Sequence, residues 1–72
     1  MLTQDVVIIL ESVETLTIHG SVYYQIQFHI EGSSTVQSAR INPEAFYTNP
    51  EPGDKVAVQM VLGQFMQAKK LN

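Results

Sequence analysis

The chain has 72 residues, 15% of them charged, with a net charge of −3 and no cysteine. A chain of that length makes one domain and covers only about 60% of its unfolded surface, so a partner subunit is the expected support. Disulfides and thiolate zinc sites are excluded, two histidines are too few for a structural zinc, and sparse cations argue against a duplex-DNA binder, whose affinity is mostly phosphate neutralisation.

The opening, MLTQDVVIILES, holds an apolar run from Val6 to Leu10. It is far short of a signal-peptide core and of the roughly 20 residues that span a bilayer, so a soluble, cytoplasmic protein with no membrane partner is expected. The run does not alternate, so both of its faces want burial, as in a barrel core or a subunit interface. Val6, Ile8 and Leu10 are the candidate oligomer-interface residues. Glu11-Ser12-Val13-Glu14 then reads as a bulge within one long, curved first strand.

Leu16 and Ile18 alternate with Thr15, Thr17 and His19 up to Gly20-Ser21, which reads as a hairpin turn. The clearest strand is Ser21 to Ile30, with Val22, Tyr24, Ile26, Phe28 and Ile30 on one face and Tyr23, Gln25, Gln27 and His29 on the other. Such alternation in β-branched and aromatic residues marks a half-buried antiparallel strand. Glu31 to Ser34 is a second turn, and Thr35 to Ile41 a weaker strand.

Asn42-Pro43-Glu44 carries an N-cap, a proline for the first helical position and an acid for the first turn, so one or two helical turns follow, pressing Phe46 or Tyr47 onto the core. Asn49 to Asp54 is a rigid loop. Lys55 to Leu62 alternates again with Val56, Val58, Met60 and Leu62 inward, Gly63-Gln64 turns the chain, and Phe65 to Leu71 closes it. The order predicts an all-β domain over residues 1–72: a small five-stranded OB-like barrel with a short helical turn between strands three and four. An open barrel or an SH3-like roll fits the same order.

Two stretches carry a resemblance. One is His19-Gly20-Ser21-Val22-Tyr23-Tyr24; the other runs from Pro52-Gly53 through a hydrophobic strand to Gly63-Gln64-Phe65 and Lys69-Lys70. Together, over about half the chain, they resemble the small single-stranded-DNA-binding proteins of filamentous bacteriophages. The resemblance implies an OB-type barrel that works as a dimer and coats DNA cooperatively. The chain departs from that family in lacking a scatter of Lys and Arg over the DNA face.

The candidate nucleic-acid-binding residues are Tyr23, Gln25, Gln27 and His29 on one strand, Arg40 on a neighbour, and Lys69 and Lys70 near the end. Tyr23 offers a stacking surface, the glutamines offer hydrogen bonds, and Arg40 offers a phosphate partner. The plainer reading makes the stripe the wet side of a sheet and the lysines solvated terminal charges. No HExxH, P-loop, GxGxxG or calcium-loop spacing occurs and no serine or histidine sits in a recognisable catalytic setting, so no enzyme and no cofactor are expected. The expected function is single-stranded nucleic-acid binding, DNA or RNA, by an oligomer; the alternative is a homo-oligomeric assembly or adaptor module with no nucleic-acid role.

Overall fold

The computed structural model describes residues 3–62 and 64–72. Five strands and one turn of 3-10 helix follow in chain order: β1 (Thr3–Ile18), β2 (Ser21–Ile30), β3 (Gln37–Ile41), the 3-10 turn (Pro43–Ala45), β4 (Lys55–Val61) and β5 (Gln64–Lys70). All pairings are antiparallel, in the order β3-β2-β1-β4-β5.

The two strand-forming patterns of β1 are out of phase, and a bulge reconciles them. Leu10 pairs with Phe28 and Ser12 with Gln27, so Glu11 is the surplus residue. Val6, Ile8 and Leu10 therefore share the inner face with Val13 beyond the bulge, although their numbers differ in parity. Two residues against one also bends the strand. The β1–β2 turn is His19–Gly20, both with positive φ (49° and 80°), which matches the twist of the flanking strands.

The inner face forms the core: Ile8, Leu10, Ile26, Phe28, Ile41, Phe46, Val56 and Val58 are buried. Asn42 caps the 3-10 turn, its side-chain oxygen accepting from the Glu44 amide at 3.0 Å. The turn lies against β2 and β5 and delivers Phe46 to the core, where its ring meets Tyr24 edge-on.

Three expectations shift. The third strand begins at Gln37, because the Thr35 amide is taken by the Ser33 hydroxyl in a local turn. Leu62 does not face inward; its φ of +53° turns it out of β4, and it is 73% exposed. Gly63, expected to turn the chain there, lies outside the described residues.

The sheet is also not closed, so the expected barrel exists only as an open sheet whose edges are β3 and β5. The antiparallel pairings make β3 and β5 run in the same direction as β1. Direct closure would need a parallel ladder, slightly weaker per residue, on a β3 of only five residues. Side chains meet across the seam instead: the Phe28 and Phe65 rings lie 5.6 Å apart.

Candidate nucleic-acid interface

The pleat of β2 sends Tyr23, Gln25, Gln27 and His29 to the outer face, away from Ile26 and Phe28. Register then adds neighbours. Arg40 is the cross-strand partner of Gln25, and Ser38 of Gln27. On the β1 side, Glu14 is opposite Gln25, Ser12 opposite Gln27, and Leu16 opposite Tyr23. The Ser12 hydroxyl donates to the Gln27 amide oxygen at 3.0 Å, which fixes that glutamine's orientation. His29 Nδ1 rests against a Glu11 carboxylate oxygen. Ser12, Glu14, Gln25, Gln27 and Ser38 line a shallow depression of about 190 Å³.

Arg40 thus joins the stripe predicted from sequence, and Lys69 and Lys70 do not. Both lysines lie on β5, with β1 and β4 between it and β2. Lys70 Nζ is 3.7 Å from the Asp54 carboxylate, and Lys55 pairs with Glu31 at 2.7 Å. Among the described residues, Arg40 and Lys69 are in no ion pair. The two carboxylates flanking the stripe, Glu11 and Glu14, repel a polyanion from the β1 side and leave the β3 side open.

The run Val6–Leu10 divides cleanly. Ile8 and Leu10 are 0% and 1% exposed and Val6 packs on the core. Ile8 and Leu10 are thus spent on the core of the protomer, while Val6 is half-buried. The outward residues are Val7 and Ile9, paired with Ala57 and Lys55 of β4 and both half-buried.

One cluster escaped the sequence reading. Asp54 is the one buried acid among the described residues, and it accepts from the Tyr47 hydroxyl (2.7 Å) and the Glu51 amide (3.0 Å). The Tyr47 hydrogen bond, the Glu51 amide and the nearby Lys70 ammonium hold its carboxyl below the usual range, against an opposing push from burial. Burial and the facing carboxylate drive the Tyr47 phenol well above its ordinary value. The only sequence signal was a tyrosine and an aspartate bracketing a proline-rich loop. The arrangement is a clamp on that loop.

Among the described residues no helix is long and apolar enough to cross a membrane, and no three His, Cys, Asp or Glu side chains gather to hold a metal. Compared with known proteins, the chain matches no family model, no curated protein and no solved structure.

Proposed function

We propose that this domain is a non-enzymatic module that binds single-stranded nucleic acid across the outer face of β2 and β3, acting as an oligomer. The register that sets Arg40 beside Gln25 and Ser38 beside Gln27 carries this reading. It stands a cation among neutral hydrogen-bonding groups, with Tyr23 further along the same face. The finer fold reading belongs to the same proposal: a helical turn between β3 and β4 and an incompletely closed five-stranded sheet fit the OB barrel, which is itself partly open and binds oligonucleotides on this face.

The chemistry suits a flexible single strand better than a duplex. An exposed base stacks on Tyr23, worth about 1–3 kcal/mol, while glutamine and serine groups meet base edges or sugars. Arg40 meets one phosphate. With one such cation per protomer, the logarithm of affinity falls by about 0.7 per protomer for each decade of salt. Useful affinity then comes from protomers tiled along one strand, where each bound subunit raises the local concentration of the next.

Titration with oligothymidylate tests the reading. Tyrosine emission is quenched in the wild type, Tyr23→Ala abolishes the quenching without moving the melt, and Arg40→Gln flattens the salt dependence. Absence of quenching at low salt by the intact oligomer overturns it.

The assembly reading has its own support in Val7 and Ile9, apolar side chains on the outer face of β1. On that reading Val7→Asp dissociates the oligomer and leaves the protomer folded, because the side chain points away from the core. A mass unchanged by this substitution in light scattering removes it.

A further inference from the structure

The seam between the two sheet edges is a second feature of the surface, bordering the β2–β3 face and sharing Arg40 with it. A cleft of about 380 Å³ runs along it, walled by β3 on one side and by Gln64 and Phe65 on the other, floored by Phe28 and Met60 and stopped at one end by Ala45. Both walls are edge strands, each with one row of backbone groups unclaimed by the sheet.

Strand direction limits what fits between them. Because β3 and β5 run the same way, a single extended segment running the opposite way is antiparallel to both. It forms two antiparallel ladders where direct closure would form one parallel ladder. Its alternate side chains point onto the apolar floor, as in strand addition to an exposed edge.

Charge specifies the occupant further. All seven carboxylates lie on β1, in the turn after β2, in the 3-10 turn or in the loop before β4; β3 and β5 carry none. Three of the four cations, Arg40, Lys69 and Lys70, lie on those two edge strands, although the chain is net negative. Lys70 faces Asp54, and Arg40 and Lys69 are in no ion pair among the described residues. Among the described residues that line the cleft, Arg40 is the single charged one. Two edges of the same sign disfavour pairing β3 of one copy with β5 of another, since like charges across a ladder are destabilising.

We infer that the β3–β5 cleft captures an extended acidic segment of another protein, with apolar residues at alternate positions and a carboxylate facing Arg40. The segment completes the sheet as a sixth strand. This capture does not rest on the nucleic-acid reading; it stands on the edges and their charge, and a domain that binds no nucleic acid would still show it.

The test uses a fluorescein-labelled peptide of about six residues, the usual strand length, alternating valine with aspartate, followed by anisotropy and amide hydrogen exchange. The aspartate peptide binds, and exchange slows along β3 and β5. A version with lysine for aspartate binds about tenfold more weakly; Arg40→Glu reverses that order, and methylating alternate peptide amides abolishes binding. Equal affinity for the two charge versions overturns the inference, as does unchanged exchange at both edges with peptide bound. A free protein that is already dimeric with β3 and β5 protected also overturns it, by making a second copy the occupant. Oligothymidylate binding that survives or fails alongside has no bearing on these outcomes.

Discussion

The loop before β4 and the β3–β5 seam are both places where the sheet runs out of regular partners, and the chain treats them in opposite ways. At the loop, the Leu10 amide donates to the Asp54 carbonyl (3.0 Å), the Gly53 amide donates to the Leu10 carbonyl (2.7 Å), and Asp54 gathers Tyr47 and Glu51. The end of β5 joins in: the Leu71 amide donates to the Lys55 carbonyl at 2.8 Å. At the seam, two rings touch and no backbone ladder forms. The first margin is finished within the protomer, and the second is left as a surface. One margin is sealed by short-range polar bonds, and the other ends in two edge strands with no ladder between them.

The largest expected effect comes from the residue that serves both the core and the seam. Phe28 is 4% exposed and meets Phe65, so Phe28→Ala costs about 3–5 kcal/mol by leaving a cavity, measured by urea denaturation. In a domain this small that removes most of the net stability, so Phe28→Leu, with a smaller loss, is the variant for exchange measurements.

Next in size is Tyr47→Phe. It removes the hydroxyl that donates to Asp54 and lowers stability by about 1 kcal/mol. Faster amide exchange at Leu10 and Gly53, with β3 unchanged, would show that the loop clamp acts locally.

Acid sharpens the contrast. The Asp54 carboxyl titrates lower folded than unfolded. Its contribution is therefore present above the ordinary carboxylate range, near pH 4, and is lost as pH falls through the depressed folded value. Melting temperatures of the wild type should drop over that acid interval. Asp54→Asn should be less stable near neutrality and should flatten this limb, and an equally steep limb in the variant would assign the effect to other carboxylates.

The smallest effect on stability belongs to Arg40→Gln, a change on an exposed edge strand. It moves the melt by no more than about 0.5 kcal/mol. Any larger change would mean that Arg40 supports the fold, and both ligand proposals would lose their shared cation.

Much of this architecture was legible from period-two alternation. The limits of β2, the bulge near Glu11 and the helical turn after Asn42 follow from local pattern and capping chemistry. Local pattern fails where the answer depends on a neighbour. The unbroken run Val6–Leu10 gives no phase, so only pairing reveals that Ile8 faces in and Val7 out. Leu62 continues the alternation of β4 in sequence after the backbone has already turned. The outer stripe was readable as a face of β2, but Glu14 beside Gln25 depends on the register past the bulge. The seam was invisible because closure is a property of the whole curl.

Glu11 deserves a final consequence as the surplus residue of β1. Delete it, and Ser12 follows Leu10 in an even ladder, so every inner side chain stays inner and the core composition is untouched. What disappears is the kink, and with it part of the added local twist. A chain one peptide shorter would then keep its interior but flatten, drawing its two margins apart. A single extra link in β1 thus contributes to the curl that brings the two margins near each other.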